Sequence, residues 1–137
     1  MKASIYRRQT FNAAHRLNNP AWDSETNKRV FGLCNNPHFH GHNYVVIAKI
    51  TGDIDTETGY VMDAKILKDI IEDEVIEPFD HRNLNLDVPE FQKLNPTAEN
   101  IVMVIWNKLR ARLENRFELT VTLYETENNY VEYTGQK

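Results

Sequence analysis

The chain has 137 residues, of which 41% are hydrophobic and 26% are charged, and its formal net charge is −4. This composition is typical of one globular domain and excludes a disordered chain, a collagen-like repeat and a disulfide-stapled miniprotein. The acidic balance argues against a nucleic-acid-binding protein, because such proteins usually present a basic patch. We therefore expect one domain over residues 1–137, with no nucleic-acid partner.

The sequence also bears on the cellular location. No apolar run approaches the roughly 20 residues that cross a bilayer, and charges at the N-terminus replace the apolar stretch of a signal peptide. The one cysteine, Cys34, cannot form an internal disulfide. We expect a cytoplasmic protein without a membrane partner, in which Cys34 is a buried structural thiol, an acid/base group, a nucleophile or a metal ligand.

The first half of the chain predicts two strands joined by a long loop. Residues 4–15 favour a strand, although their alternation is imperfect. Residues 18–41 are rich in Asn, Pro and Gly and predict a loop, and loops of this length are often functional. In residues 42–51 apolar side chains recur at every second position from Tyr44 to Ile50, which predicts a strand.

A helix and a second loop follow. Asp63 is a suitable N-cap for a helix over residues 64–76, because the apolar residues there form a single stripe. Pro78 is expected to end this helix, since proline lacks the backbone N–H that an interior helical position needs. Residues 79–96 are polar and predict a loop.

The C-terminal part predicts one more helix and two strands. Thr97 is a suitable N-cap for a helix that extends to about residue 114. Alternation over residues 117–123 predicts a half-buried strand, and residues 130–134 predict the last strand. The order ββααββ predicts an α+β fold, with an antiparallel sheet and both helices on one of its faces.

Histidines are concentrated in one part of the chain, since four of the five lie from His15 to His42. If the second strand begins near residue 40, His40 and His42 point to the same face, because strand side chains alternate. His15, at the end of the neighbouring strand, is the natural third ligand. Three imidazoles and one open position suit catalytic Zn²⁺, whereas an HxH pair alone is more often a pair of ordinary histidines.

Two acidic residues, Glu125 and Asp80, are further candidates for the functional site. Glu125 continues the parity of the apolar strand residues, and a buried carboxylate needs hydrogen-bond donors. It is therefore either an anchor for the N–H groups of a ligand or a solvated residue beyond the strand end. Asp80 and His81 are adjacent in sequence and form either a carboxylate–imidazole dyad or a polar loop segment.

Five motifs occur in order over nearly the whole chain. They are Phe11-Asn-Ala-Ala-His15, Phe31-Gly-Leu-Cys34-Asn-Asn-Pro-His-Phe-His40-Gly-His42-Asn-Tyr, Phe79-Asp80-His81, Asn95-Pro-Thr97-Ala-Glu99 and Leu123-Tyr-Glu125-Thr. Together they resemble the family of 6-pyruvoyl-tetrahydropterin synthases and 6-carboxytetrahydropterin synthases. The Cys-x5-His-Gly-His-Asn-Tyr segment is the most specific of the five.

The resemblance implies a tunnelling fold whose sheets join into a β-barrel, in a homohexamer that is a dimer of trimers with active sites at subunit contacts. By this resemblance, the zinc ligands are His15, His40 and His42, the catalytic residues are Cys34, Asp80 and His81, and the pterin contacts are Thr97, Glu99 and Glu125. The implied enzyme is a carbon–oxygen lyase that converts 7,8-dihydroneopterin triphosphate into 6-pyruvoyl-tetrahydropterin with loss of triphosphate.

Alternatives remain open at this point. One is the 6-carboxytetrahydropterin synthase of queuosine biosynthesis, although the five-residue gap after Cys34 resembles the pyruvoyl-forming branch. Another is a non-catalytic zinc- or pterin-binding protein, in which Cys34 completes a closed four-ligand site.

Some positions depart from the family pattern, and the residues that bind the triphosphate are not identified by a motif. His38 and Phe39 stand where the family suggests an asparagine and a small residue, and His38 adds an imidazole near the expected metal. Ala98 stands where relatives often carry a second threonine. Candidate triphosphate ligands, chosen by their proximity to the motifs, are Lys28, Arg29 and Arg82.

Overall fold

Two long strands form the centre of the fold. The computed structural model describes residues 1–135, and in it strand β1 spans Lys2–His15 and strand β2 spans His40–Asp53. They pair antiparallel along their whole length, from Lys2 opposite Asp53 to His15 opposite His40. Both predicted strands are confirmed, and each is longer than expected.

The sheet contains three further strands. Strand β3 is Arg82–Asn83, β4 is Glu118–Tyr124 and β5 is Tyr130–Tyr133. The order across the sheet is β3-β1-β2-β4-β5, and all pairs are antiparallel except β3 with β1. The expectation of a purely antiparallel sheet of four strands is therefore wrong in one detail, because a two-residue parallel strand is added at the β1 edge.

The connection between β1 and β2 is not the loop expected over residues 18–41. Helix α1 spans Ser24–Phe31, and a 3₁₀ turn over Gly32–Asn35 follows it directly. The Asp23 carboxylate accepts the backbone N–H of Thr26 and caps α1. The helix escapes detection by periodicity because apolar residues occur only at its C-terminal end.

The first predicted helix is confirmed and continues past its expected end. Helix α2 spans Ala64–Ile71, a π-helical turn covers Glu72–Ile76, and helix α3 spans Glu77–Phe79. Pro78 lies in the first turn of α3, where a proline is tolerated, and the helical segment ends one residue later, at Phe79. The π turn widens the helix just before the segment that carries Asp80.

The expected loop over residues 79–96 contains short elements too. These are α4 over Leu84–Asp87 and a 3₁₀ turn over Pro89–Phe91. Helix α5 then spans Ala98–Arg112, and the hydroxyl of Thr97 accepts the N–H of Asn100, as expected of its N-cap.

Helices α2 and α5 cover one face of the sheet and form the core with it. On β2 the buried side chains are Tyr44, Val46, Ala48 and Ile50, and on α5 they include Ile101, Ile105 and Leu109. The predicted α+β class, with the helices on one face, is confirmed. None of the helices in the described part of the chain is both long and apolar enough to span a membrane.

Candidate active site

Three histidines meet at the end of the β1–β2 ladder. The register places His15 opposite His40 and Ala13 opposite His42, so all three imidazoles point to the same sheet face. The ring centroid of His15 lies 4.6 Å from that of His40 and 5.1 Å from that of His42. One nitrogen of each ring lies within 4.8 Å of the other two, so the three residues could hold a metal ion.

The orientation of His15 depends on a residue far along the chain. Its Nδ1 lies 2.8 Å from the carbonyl oxygen of Pro96, and a carbonyl can only accept, so Nδ1 carries the proton. The free lone pair is then on Nε2, which faces the other two imidazoles. The buried hydroxyl of Tyr44 lies 3.3 Å from the same Nδ1. Such outer contacts fix the tautomer and direction of a metal-binding imidazole.

Burial favours the neutral form of His15 and His40. Burial, with the neighbouring His40 and His42, lowers the pKa of His15 to about 4, against the opposing effect of the Pro96 hydrogen bond. Burial also lowers the pKa of His40, followed in effect by His42. Neutral imidazole is the form that binds metals.

Several ring nitrogens of the cluster lack a hydrogen-bond partner in the described part of the chain, which also suits a metal site. The Nε2 atoms of His15 and His42 and both ring nitrogens of His40 are buried without a hydrogen-bond partner in residues 1–135. Unpaired buried polar atoms are costly, and a metal ion would satisfy several of them at once. The donor set therefore fits a transition metal.

Cys34 lies beside this cluster without being part of it. Its carbonyl accepts the N–H of Leu17 at 2.9 Å, which ties the 3₁₀ turn to the end of β1, and its side chain is half-buried. Burial, followed in effect by the neighbouring Glu125 and Cys34, raises the pKa of Tyr44. In the described residues the compact ligand group comprises the three histidines without Cys34. The closed four-ligand arrangement is not formed.

His38 and Phe39 differ in how they relate to the cluster. His38 is exposed and is not a member of the ligand group, so its imidazole is not among the candidate metal ligands. Phe39 has a φ of 69°, in the left-handed region that favours glycine. A glycine would adopt this conformation without strain.

Glu125 adjoins the histidines and opens onto a cavity. Its carboxylate oxygens lie 4.0 Å from Nε2 of His15 and 3.9 Å from Nε2 of His42, and its side chain is one-quarter exposed. Together with Thr97 and Glu99 it lines a cavity of about 460 Å³, which we call the carboxylate cavity. The structure thus brings together the three residues to which the family resemblance assigned ring contacts.

Asp80 and His81 occupy a different place in the chain. Nδ1 of His81 lies 2.9 Å from Oδ2 of Asp80, so the expected pair is formed. Asp80 also accepts the backbone N–H of Asn12 at 2.8 Å, and this hydrogen bond, ahead of that from His81, lowers its pKa. The pair lines a cavity with Asn12 and Asn43, whose side chains point to the face opposite the histidines. One chain alone does not bring the pair to the cluster.

Two contributors to the site, Tyr44 and Pro96, escape the sequence analysis. Tyr44 has the parity of the core residues of β2, and nothing in the sequence distinguishes its hydroxyl from that of any buried tyrosine. Pro96 acts through its backbone carbonyl, 81 positions from His15. Only the folded chain brings these groups together.

Comparisons with known proteins agree with this geometry. The family model described as 6-pyruvoyl tetrahydropterin synthase matches residues 4–136. The 6-pyruvoyl tetrahydrobiopterin synthase of Homo sapiens is 42% identical over 135 residues, which cover 98% of this chain and 93% of the relative. The enzyme of that name from Drosophila melanogaster is 41% identical over 134 residues, covering 97% of this chain and 80% of its own.

A solved structure gives the same result at the level of the fold. The structure of Caenorhabditis elegans 6-pyruvoyl tetrahydropterin synthase is similar with a TM-score of 0.94 and 36% identity, covering 99% of this chain and 97% of that one. The expected tunnelling fold is confirmed by this similarity. The chain belongs to the 6-pyruvoyl tetrahydropterin synthase family.

Proposed function

We propose that this protein is a lyase that converts 7,8-dihydroneopterin triphosphate into 6-pyruvoyl-tetrahydropterin and releases triphosphate. The observation that carries the proposal is the contact between two features. Two of the three clustered histidines, His15 and His42, lie within 4.0 Å of the Glu125 carboxylate, and that carboxylate lines a cavity large enough for a bicyclic ring. The names of the relatives agree with this activity.

The metal that best suits the cluster is Zn²⁺. Three imidazoles with one remaining coordination position are the usual ligand set of catalytic zinc. His15, His40 and His42 would hold the zinc, which would supply a Lewis acid that lowers the energy of negative charge on the side-chain oxygens of the substrate. The hydrogen bond from His15 to Pro96 supports the assignment, because it leaves Nε2 free.

Glu125 is the proposed anchor of the pterin ring. The guanidine-like edge of a pterin presents two parallel N–H groups, and a carboxylate accepts both with good geometry. Thr97 and Glu99 line the same cavity and offer further acceptors for the ring. This role explains why an acidic side chain continues an apolar strand face.

Proton transfer is assigned to Cys34 and to the Asp80–His81 pair. As a thiolate, Cys34 would remove a proton from the substrate side chain. Asp80 accepts the Nδ1 proton of His81 and so holds the ring with Nε2 available for proton transfer. The proposed reaction also rearranges the substrate by internal oxidation and reduction. It needs no external reductant, because some carbons of the substrate are oxidised while another is reduced.

The separation of these groups in one chain supports an assembled site. The Asp80–His81 pair opens away from the histidine cluster of its own chain, and the His81 side chain is 84% exposed. We therefore infer a homohexamer in which the pair of one subunit completes the site of another. The sheet face that no helix covers, together with the edge strand β5, offers surfaces for joining sheets.

Product analysis tests the activity. The protein, freed of metal by a chelator and then supplied with Zn²⁺ or left without it, is incubated with 7,8-dihydroneopterin triphosphate, and products are followed by mass spectrometry. We expect a pyruvoyl product and free triphosphate only with the metal. A product with a carboxy side chain would assign the protein to the 6-carboxytetrahydropterin branch. Absence of turnover by protein that holds stoichiometric zinc would refute the proposed enzymatic activity.

Subunit mixing tests the shared site. Cys34→Ala and His81→Ala are each expected to be inactive, and mixed hexamers should regain part of the activity, because some sites then contain both intact residues. Subunit exchange is verified with differently tagged chains. Absence of rescue despite exchange, or a fully active monomer by light scattering, contradicts the shared site.

A further inference from the structure

A second cavity lies on the other side of the segment that holds His15. It has a volume of about 510 Å³ and is lined by Arg16, Phe39 and Pro96 among others. Arg16 follows His15, and Phe39 precedes His40, so the cavity borders the metal cluster. The carboxylate cavity begins at the next residue of each segment, Leu17 and Thr97. The two cavities therefore flank the same site.

The charged residues of this second cavity have one sign. Arg16 and Lys93 line it, and no aspartate or glutamate does, although the chain as a whole is acidic. Neither cation forms an ion pair within residues 1–135. Arg16 uses only its Nε, which donates to the carbonyl of Asn35 at 2.9 Å. Its two terminal nitrogens remain available.

Three asparagines add neutral donors. The side-chain oxygen of Asn18 accepts from the amide of Asn35 at 2.9 Å, that of Asn19 from the N–H of Ala21 at 3.0 Å, and that of Asn95 from the N–H of Asn18 at 3.1 Å. With the oxygens occupied, each NH₂ group is left free, and none donates a hydrogen bond in the part of the chain described. We call this lining, Arg16, Lys93, Asn18, Asn19 and Asn95, the donor cavity.

We propose that the donor cavity binds the triphosphate chain of the substrate, an inference that rests on the proposed function. Free N–H donors and unpaired cations are the groups that phosphate oxygens require. The carboxylate cavity has the opposite character, with two glutamates and no cation. A substrate with an N–H-rich ring at one end and a polyanion at the other is thereby oriented, with its side-chain carbons beside the metal cluster.

This assignment differs from the candidates chosen by proximity in sequence. Lys28, Arg29 and Arg82 do not line the donor cavity. Lys28 and Arg29 belong to α1, and Arg82 belongs to the edge strand β3. The folded chain instead offers Arg16 and Lys93, neither of which adjoins a glycine-rich or otherwise conspicuous phosphate motif.

Binding of inorganic triphosphate to the metal-free protein is the first test, because a bound metal would itself attract the anion. Titration calorimetry compares the wild type with Lys93→Met and Asn19→Asp. Asn19→Asp keeps the oxygen that accepts from Ala21 but replaces the NH₂ by a charged oxygen. Each change should weaken binding about tenfold, the loss of one charge-assisted contact. Lys68→Met, an equal charge change on the exposed side of α2, should have no effect.

Kinetics of the zinc-loaded protein separate this proposal from the activity itself. Lys93→Met should raise KM for the triphosphate substrate and leave the affinity for dihydroneopterin, which lacks the phosphates, unchanged. If Lys93→Met and Lys68→Met have normal turnover, the same KM and the same affinity for triphosphate, the donor cavity does not bind the triphosphate. The proposed enzymatic activity would not be affected by that result. The donor cavity would also be refuted if Lys28→Met, and not Lys93→Met, weakened triphosphate binding. An inactive wild type whose triphosphate binding depends on Lys93 would refute the activity and leave the anion site.

Discussion

Acidification should destabilise the metal-free protein through His15. The folded state holds the pKa of this residue at about 4, chiefly by burial, whereas the ordinary value is 6.5. Below pH 6.5 the unfolded chain therefore binds a proton that the folded chain does not. Stability is lost as the pH falls through the unfolded pKa, and the loss is complete near the folded one.

The size of the effect follows from the two pKa values. Between pH 7 and pH 5 the proton binding of the unfolded chain costs about 2 kcal/mol, and the limiting loss below pH 4 is about 3 kcal/mol. His15 is only 1% exposed, so solvent screening reduces this little. A change of this size is a large part of the stability of an ordinary domain.

Urea unfolding at pH 7 and pH 5, at constant protomer concentration and with a chelator present, measures the effect. The comparison is with His15→Asn, whose amide can still donate to the Pro96 carbonyl but does not titrate. The wild type should lose about 2 kcal/mol more than this variant over the interval. His38→Asn, at an exposed histidine, controls for the general effect of removing an imidazole. Equal losses in wild type and His15→Asn would show that the imidazole is not held neutral by the fold.

Three further outcomes follow from the site. His42→Ala should lose stoichiometric metal, measured by elemental analysis, and keep its far-UV circular dichroism, because the core does not include the ion; retained metal would refute the ligand assignment. Cys34→Ala should keep metal and pterin binding and lose roughly 10²–10⁴-fold in turnover, as for a missing general base; loss of metal would make Cys34 a ligand. Tyr44→Phe should weaken metal affinity by roughly tenfold in a chelator competition, through the outer contact to His15, whereas Tyr124→Phe, on the opposite sheet face, should not.

The sequence predicts the site better than it predicts its surroundings. Strand alternation was enough to place His40 and His42 on one face, because that periodicity is local. It could not reveal the Pro96 carbonyl, which reaches His15 only after the chain between them has folded. Helix α1 carries a recognisable cap at Asp23 but no apolar stripe, so periodicity favoured a loop. The donors of Asn18, Asn19 and Asn95 are free only because other parts of the fold occupy their oxygens.

The pairing of β1 with β2 couples two properties that are usually separate. His15 and His40 are direct partners in the ladder, so a slip of one residue in either strand would turn one of the two imidazoles to the opposite face. Metal affinity thus measures strand alignment. In a refolding experiment with cobalt, the absorption spectrum of the bound ion would appear only when β1 and β2, which are separated by a 24-residue connection, reach their final register. A misaligned pair of strands would not bind the ion and would give no such spectrum.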